Sequence, residues 1–290
     1  MKKVAIIVVT YNRLSLLKEC IQSLRNQTYD DTSIIVINNG STDDTYKWLA
    51  EQNDIVTINQ SNTGGAGGFF TGIKYACENG FEYTWIMDDD VEAKADTLEK
   101  LMKHTPKTQG FLCSRVLDIN GCQCNVPRIS NRKSEETGEW TWGNELDSNL
   151  LEVLTTSFVS VLLPTKIVYQ LGLPYKDYFI WGDDTEYTTR ISNTYKSFLV
   201  IDSIMTHKRI QNNVLSIFTE NNPHRVRMYY YSYRNRIHNS KGALRKIAFF
   251  ILGLADFLKL TLKGNFKKAK VVIKGNLAAL IFNPKTIFPK

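Results

Sequence analysis

Three consecutive aspartates, Asp88, Asp89 and Asp90, follow an apolar run in the segment "WIMDDDV". Like charges this close repel one another, and burying a carboxylate without a partner is costly. No basic residue adjoins the triplet in the sequence. Carboxylates suit Mg²⁺ or Mn²⁺, which also bind the oxygens of a diphosphate. The triplet therefore favours a divalent metal site. Alternatively, Asp90 caps a helix over "VEAKADTLEKLM", which accounts for one acid of the three.

A second acid cluster lies further along the chain in "WGDDTEY". A carboxylate beside an apolar Trp181 and another acid can have a raised pKa, which suits a general base. Asp183 and Asp184 are the candidates for this proton transfer. The alternative is a capped helix start that Glu186 completes.

Two further motifs are less specific. The segment "SNTGGAGGFFTG" (61–72) predicts flexible backbone where a bulky or charged group approaches closely, or else a turn before a helix. It has neither the Gly-Lys-Ser/Thr of a P-loop nor the spacing of a dinucleotide fingerprint. His207 ends a predicted strand, where it is either a metal ligand or a packed or surface histidine.

Strand and helix patterns alternate through the first hundred residues, which predicts a parallel sheet covered on both faces. The predicted strands are 4–11, 33–38, 54–59 and 83–87. They are followed by the polar groups "TYNR", "NNGSTDD", "NQSNTGGAGG" and "DDD". Ligands bind beyond the carboxyl ends of such strands, so we expect all four groups at one rim of the sheet.

The pattern beyond this region is less regular. We predict strands over 110–118 and 197–209, and one long strand-type run over 150–164. A helix is predicted to begin at the acids of "WGDDTEY". From Pro223 the sequence predicts helix to the end of the chain.

The last fifty residues, 241–290, carry eleven lysines and arginines against one acid, a net charge of +10. The rest of the chain has 25 basic and 28 acidic residues, which argues against a nucleic-acid-binding core and for a tail with an anionic partner. The uncharged run 247–255 of the tail falls far short of the roughly 20 residues that span a bilayer. Apolar residues recur there at helical spacing: Ile247, Phe250, Ile251, Leu254, Leu258 and Leu262.

These features predict a tail that lies on an anionic membrane surface. The alternative is a helical pair that packs on the rest of the chain or forms a homo-oligomer. Five cysteines without a regular framework, and an N-terminal apolar run too short for a signal peptide, predict a cytoplasmic protein.

Six motifs occur in one order: "VVTYNRLSLLKECIQSL", "VINNGSTDDT", "NTGGAGGF", "WIMDDDV", "FIWGDDTEYTTR" and the histidine of "IMTHKR". In this order they resemble the family 2 inverting glycosyltransferases, with the closest likeness to the galactofuranosyltransferase-like branch. The resemblance covers roughly residues 3–210 and leaves the tail outside.

The resemblance implies an α/β GT-A fold with a mostly parallel sheet, helices on both faces and a helical basic C-terminal extension. The catalytic domain would be 1–209, with a donor half of about 1–118 and an acceptor half of about 150–209. The helical basic tail would be 210–290. The implied ligands are a nucleotide-sugar donor, with a UDP-sugar favoured, a glycan or glycolipid acceptor, and Mn²⁺ or Mg²⁺. No nucleic acid is implied.

Individual roles follow from the same resemblance. Asp184 would be the catalytic base, and Asp88, Asp90 and His207 would hold the metal. The residues implied in substrate binding are Thr10, Tyr11, Asn12, Arg13, Asn39, Asn62, Gly64, Gly65, Asp88, Asp89, Trp181, Asp183 and Glu186. Asn38 stands where the family usually has aspartate.

We therefore predict transfer of a sugar, with galactofuranose from UDP-galactofuranose favoured, to a growing lipid-linked cell-surface polysaccharide. The enzyme would be peripheral at the inner face of the cell membrane. Rhamnosyl or other hexosyl transfer is the alternative within the family. A nucleotidyltransferase would want a basic residue in the glycine-rich segment, which has none there, and a sugar-nucleotide-binding module could dispense with Asp184.

Overall fold

The computed structural model describes residues 3–208 and 216–290. The predicted domain boundary at 209/210 lies outside the described residues. The α-helices are α1 Leu14–Arg25, α2 Thr45–Ala50, α3 Gly64–Glu78, α4 Thr97–Lys103, α5 Thr165–Leu171, α6 Asp183–Thr194, α7 Pro223–Asn239, α8 Ala243–Leu262 and α9 Phe266–Ala278. The strands are β1 Val4–Thr10, β2 Thr32–Asn38, β3 Ile55–Asn59, β4 Tyr83–Asp88, β5 Val91–Ala93, β6 Leu112–Asp118, β7 Arg128–Ile129, β8 Leu150–Thr155, β9 Val161–Pro164 and β10 Ser197–His207.

The strands form one sheet in the order β3-β2-β1-β4-β9-β6-β10-β8-β7, and β5 pairs with β10. The first four strands run parallel, with Thr10 opposite Asn38, Asn38 opposite Asn59, and Val9 opposite Asp88. β6 and β10 are also parallel, whereas β9 and β8 are antiparallel to their neighbours. The α/β fold with a mostly parallel sheet is therefore confirmed, and the ends of the first four strands meet at one rim.

Both faces of this sheet are buried, which explains the uninterrupted apolar strands. Val4, Ile6 and Val8 of β1 face one core, which includes Leu17 and Ile21 of α1. The alternate residues of β1 face a second core, which includes residues of α3 and α6. Successive side chains of a strand point to opposite faces, so a strand between two helix layers needs apolar residues throughout.

Glycines let α3 lie close to β1. A Cβ on Gly68 would lie 2.4 Å from Cγ1 of Val9, and a Cβ on Gly72 would lie 2.3 Å from Cγ2 of Ile7. The helix begins at Gly64, so of the two expectations for this segment the turn before a helix is the one observed. Gly68 and Gly72 bring the helix and the sheet into contact.

Two local predictions need correction in the middle of the chain. The run 150–164 is divided into β8 and β9, because its two parts pair with different strands: β8 with β10, and β9 with β4 and β6. Asp90 does not cap a helix. The short strand β5 follows it, and α4 begins only after Asp96.

The helical tail packs on itself and on the rest of the chain. Tyr229 and Tyr233 of α7 form a small core with Leu260 of α8 and Val272 of α9. The last residues, 282–290, are not helical, so the prediction of helix to the chain end is wrong there. The backbone N–H of Leu173 donates to the carbonyl of residue 287 at 2.8 Å, which connects this segment to the α/β part of the chain. None of the helices within residues 3–208 and 216–290 has the length and apolar character to span a bilayer.

We predict that Gly72→Ala lowers the free energy of unfolding by about 1–3 kcal/mol, because the added methyl overpacks the contact with Ile7. Gly65→Ala is the matched control in the same helix, since a Cβ there meets nothing within 4 Å. Urea unfolding should show a loss of stability for Gly72→Ala and none for Gly65→Ala. Equal stabilities of the two variants would contradict the packing role of Gly72.

Candidate active site

The aspartate triplet at the end of β4 has a counter-charge that is not adjacent in the sequence. Arg13, in the loop after β1, places Nη1 2.7 Å from Oδ2 of Asp90 and 3.3 Å from Oδ1 of Asp89. Thr10 Oγ1 donates to Oδ2 of Asp89 at 2.7 Å. Asp89 and Asp90 are both buried. At the rim predicted from the strand order, Arg13 after β1 thus supplies part of the positive charge that offsets the carboxylates after β4.

The three carboxyl groups titrate differently. Burial raises the pKa of Asp88 well above its usual value, and the charges of Asp90 and Asp89 raise it further. Burial also raises the pKa of Asp89 to about 6, against the opposing charge of Arg13. Burial alone would raise the pKa of Asp90 as well, but His207 and Arg13 outweigh it and lower that pKa. Asp90 is therefore the member of the triplet that ionises most readily.

His207 faces Asp90 from the end of β10. Its Nε2 lies 3.1 Å from Oδ1 of Asp90, and this buried oxygen has no aligned hydrogen-bond partner in the described parts of the chain. On the other side of the ring, Nδ1 lies 2.9 Å from Oδ1 of Asn125. Asn125 Nδ2 donates to Ser157 Oγ at 3.0 Å, which turns the amide oxygen towards the ring. In this arrangement Nδ1 can donate to Asn125, and Nε2 is the ring nitrogen directed at Asp90.

Positive charge between Nε2 and Oδ1 of Asp90, 3.1 Å apart, is electrostatically favourable. Asp90 and His207 thus fit an oxygen-and-nitrogen pair for a divalent cation, and Asp88 is near enough to Asp90 for the two charges to interact. Across residues 3–208 and 216–290, no three His, Cys, Asp or Glu side chains form a preassembled metal cage. Mg²⁺ and related ions commonly use one or two protein ligands together with waters and substrate phosphates. The donor set is compatible with that open type of site.

The second acid cluster opens α6. Asp183 is buried and Asp184 is partly exposed. Burial raises the pKa of Asp183 to about 8, and the neighbouring Asp184 contributes in the same direction. Burial also raises the pKa of Asp184, partly offset by the N–H of Thr185, which donates to Oδ1 at 2.6 Å. The charge of Asp183 in turn helps to raise the pKa of Asp88. The two clusters, distant in sequence, therefore share one electrostatic environment.

A strained turn delivers this second cluster to the rim. Phe179, Trp181 and Gly182 all have left-handed backbone, with φ of +64°, +63° and +92°. Phe179 O accepts the N–H of Ala66 at 3.1 Å. A Cβ on Gly64 would lie 2.0 Å from the same carbonyl oxygen. Gly64 is therefore needed for the close approach of the turn to the start of α3.

Two predicted donor-pocket residues hold the start of α3. Asn39 is buried; its Nδ2 donates to Gly64 O at 2.9 Å, and its Oδ1 accepts the N–H of Thr63 at 3.1 Å. Asn62 Oδ1 accepts the N–H of Gly64 at 2.9 Å. Gly65 has open space around it. A direct donor contact for Asn39 and Asn62 stays a prediction, but both have a structural role in the loop.

Of the remaining predicted residues, Tyr11 and Asn12 lie at the rim, and Trp181 contacts the helical tail. Tyr11 is exposed at the rim, and Asn12 accepts the N–H of Thr42 at 2.6 Å, which joins two of the rim loops. The ring of Trp181 packs edge-on against Tyr229 of α7, with ring centroids 5.1 Å apart.

Glu186 is engaged elsewhere. Its carboxylate forms a two-pronged ion pair with Arg190, at 3.0 Å to Nε and 2.8 Å to Nη2. A substrate contact for Glu186 stays a prediction, but this pairing gives it a role in holding α6. No side chain completes a hydrogen-bonded cap at the start of α6 in the described structure.

Sequence reasoning did not identify Asn125. The residue has a φ of +48°, and in the sequence it would pass for an ordinary turn residue between Cys124 and Val126. An asparagine in a polar region is the signal that could have drawn attention to it. The partner of this asparagine, His207, is a candidate metal ligand. The pairing itself arises only in three dimensions.

Comparisons with known proteins identify relatives of this chain. The model of glycosyl transferase family 2 matches residues 5–153. Galactofuranosyltransferase GlfT1 of Mycobacterium tuberculosis is 26% identical over 197 residues, which cover 64% of this chain and 63% of that protein. The GalNAc(5)-diNAcBac-PP-undecaprenol beta-1,3-glucosyltransferase of Campylobacter jejuni is 29% identical over 156 residues, which cover 52% of this chain and 46% of that protein.

Among solved structures, residues 1–349 of S. aureus TarS superpose with a TM-score of 0.57 at 13% sequence identity, covering 95% of this chain and 91% of that chain. This likeness shows the fold alone. The chain spans less than two thirds of the length of the two curated relatives. The family match extends over more than half of the chain, so the chain belongs to glycosyl transferase family 2.

Proposed function

We propose that this chain is an inverting glycosyltransferase that moves a sugar from a nucleotide donor to a hydroxyl of a glycan or glycolipid. The observation that carries the proposal is that the turn before Asp183 and Asp184 contacts the start of α3, at the rim that also carries Asp88–Asp90. Glycosyl transfer needs charge stabilisation at the leaving diphosphate and a proton acceptor at the attacking hydroxyl. Two separate acid clusters provide one group for each end of that reaction.

Asp184 is the proposed proton acceptor. Asp184 is a partly exposed residue at the start of α6, and the desolvation that raises its pKa makes it more basic than an ordinary aspartate. The hydroxyl attacks the anomeric carbon as its proton passes to Asp184, and the diphosphate leaves from the opposite face. One base suffices for inversion, so no covalent nucleophile is required.

Asp90 and His207 would hold Mn²⁺ or Mg²⁺, with Asp88 assisting. When bound, the cation would stabilise the negative charge that develops on the departing diphosphate. The imidazole favours Mn²⁺ over Mg²⁺, which prefers oxygen ligands. Arg13 balances the charge of Asp89 and Asp90 beside this position. Asn125 keeps Nε2 of His207 directed at it.

Galactofuranose is the sugar we favour, with UDP-galactofuranose as donor. This preference is supported by the six sequence motifs and by the similarity to GlfT1. The Campylobacter relative is named as a glucosyltransferase, so transfer of another hexose, or of rhamnose, is the second candidate. A module that binds nucleotide sugars without catalysis would bind UDP yet release no product. Mass spectrometry of products from a panel of nucleotide sugars separates these candidates.

A lipid-linked acceptor is supported by the surface of α8. One side of this helix packs on the tail through Gly253 and Leu260, and Phe250 and Leu254 of the predicted apolar face are partly buried. The opposite side exposes large apolar residues: Leu244, Ile247, Ile251, Leu258 and Leu262. An apolar stripe of this size facing water suits the interfacial region of a bilayer.

Positive charge accompanies this stripe. Lys267, Lys270 and Lys274 of α9 are exposed, in a segment whose net charge is +10. Each basic residue near an anionic membrane surface contributes about 1 kcal/mol to binding. We therefore place the enzyme at the inner face of the cell membrane, bound through residues 241–290. A homo-oligomer that buries the same stripe is the alternative.

The first prediction concerns the metal. Asp90→Ala and His207→Ala should each abolish Mn²⁺-stimulated release of UDP from UDP-galactofuranose, and both should weaken Mn²⁺ binding measured by electron paramagnetic resonance. Asn125→Leu should weaken Mn²⁺ binding by roughly 10–100-fold, because His207 would lose its orienting partner. The metal assignment is wrong if Asp90→Ala and His207→Ala both keep wild-type turnover in chelator-treated buffer.

The second prediction concerns the base. Asp184→Asn keeps the shape of the side chain but removes proton acceptance, so turnover should fall by roughly 10²–10⁴. UDP binding with Mn²⁺, measured by calorimetry, should survive. Loss of UDP binding would instead assign Asp184 to the nucleotide or metal site. In the companion variant Asp183→Asn, a much larger loss of turnover would transfer the role of base to Asp183.

The third prediction concerns the membrane. Truncation after Ser240 would remove core partners of Tyr229, so we choose surface variants instead. The full chain should float with phosphatidylglycerol vesicles at low salt, and the double variant Ile251→Glu, Leu258→Glu should not. Ile119→Glu, at a residue 65% exposed in the α/β part of the chain, is the matched control and should float. If all three chains behave alike, dimerisation becomes the better account, and sedimentation velocity tests it.

A further inference from the structure

The strained turn that carries the acids Asp183 and Asp184 is held by α7, which like the turn itself lies beyond residues 5–153 of the family match. Asn235 of α7 is buried, at 1% exposure. Its Nδ2 lies 3.0 Å from Tyr178 O, 3.1 Å from Ile180 O and 2.8 Å from Trp181 O. The two N–H groups of a single side-chain amide thus serve three carbonyls of the turn, with one N–H shared between two of them, in a region with two non-glycine residues of positive φ.

Neighbouring residues of α7 extend the same contact. Asn239 Nδ2 donates to Gly182 O at 2.7 Å, directly before the first acid. Arg234 Nη2 donates to Asp177 O at 2.6 Å, before the turn begins. Most backbone carbonyls from Asp177 to Gly182 therefore accept hydrogen bonds from side chains of α7.

The orientation of Asn235 is itself fixed. Arg234 Nε donates to Asn235 Oδ1 at 2.9 Å, so the amide presents its N–H groups to the turn. The guanidinium of Arg234 is buried and lies 3.7 Å from the ring centroid of Phe282, in the segment after α9. The C-terminal segment thus contributes to the position of an amide that contacts the active-site turn.

The turn is held from its other side as well. The N–H of Ala66 donates to Phe179 O, so the start of α3 and the face of α7 enclose the turn between them. A backbone in sparsely populated conformations persists only when its surroundings determine it, and such strain clusters at functional sites. Without Asn235, three carbonyls would lose a buried donor, and the turn would be free to relax.

We propose that Asn235 is a positioning residue that holds Asp183 and Asp184 in their working geometry, and that α7 belongs to the catalytic unit. The inference rests on the proposed glycosyl transfer for its kinetic readout. A displacement of the base relative to the acceptor hydroxyl impairs the chemical step more than donor binding. The effect should therefore fall on kcat.

The test compares Asn235→Ala with Asn276→Ala in the full chain. Asn276 is a matched control: it is a buried asparagine of the tail whose Nδ2 donates to a backbone carbonyl, Phe250 O, at 2.8 Å, away from the turn. Both variants should lose thermal stability. Only Asn235→Ala should lower kcat for UDP release from UDP-galactofuranose, by roughly 10–100-fold with little change in KM.

Hydrogen–deuterium exchange provides a readout without catalysis. Amides of residues 178–185 should exchange faster in Asn235→Ala than in Asn276→Ala and the wild-type chain. If the wild type releases no UDP from any donor, the proposed function fails, and the exchange experiment alone decides the positioning role. If Asn235→Ala does not fold, Asn239→Ala should show the same effects to a smaller degree. Unchanged kcat and exchange in a folded Asn235→Ala, or equal losses in Asn276→Ala, would overturn the proposal.

Discussion

Left-handed backbone at Phe179 and Trp181 costs roughly 1–3 kcal/mol at each residue, so other contacts must offset this strain. The start of α3 and the buried face of α7 provide those contacts. The constraint explains why Gly64 has no side chain, because any Cβ there would collide with the turn. It also explains how acids far from the triplet in sequence come to share its environment. The proposed roles of the two acid clusters, metal binding by one and proton acceptance by the other, depend on this turn.

Charge balance is the second requirement of the site. The rim concentrates carboxylates at buried positions, and Arg13 supplies a positive charge next to Asp89 and Asp90. Burial raises the pKa of Asp88 and Asp183, and neighbouring carboxylates raise both further, so Arg13 leaves part of the repulsion uncompensated. A divalent cation at Asp90 and His207 would reduce the remaining repulsion, and a nucleotide diphosphate would then bring its own negative charge to the cation. Metal and donor binding are for this reason expected to depend on each other.

The sequence predicted the parts of the site that follow from strand periodicity. Apolar strands β1 to β4 and their parallel register lead directly to a rim containing Thr10, Asn38 and Asp88. Pairings that form only through tertiary contacts were not accessible. No local sequence pattern connects the residues that form the Arg13 ion pairs, the contact of Asn125 with His207, or the hydrogen bonds from Asn235 to the turn. The division of 150–164 into two strands was not predicted for the same reason. Its apolar composition fits one long strand as well as two short ones, and pairing with the neighbouring strands determines which of these forms.

The central claim is that both acid clusters act on one reacting centre. A crystal structure of the Asp184→Asn variant with Mn²⁺ and UDP-galactofuranose, with data collected at the manganese absorption edge, tests it most directly. We predict an anomalous peak within bonding distance of Asp90 and His207, with the diphosphate bound to it. The side chain at position 184 should face the anomeric carbon from the side opposite the diphosphate. A manganese peak away from Asp90 and His207, or a sugar directed away from position 184, would contradict the account.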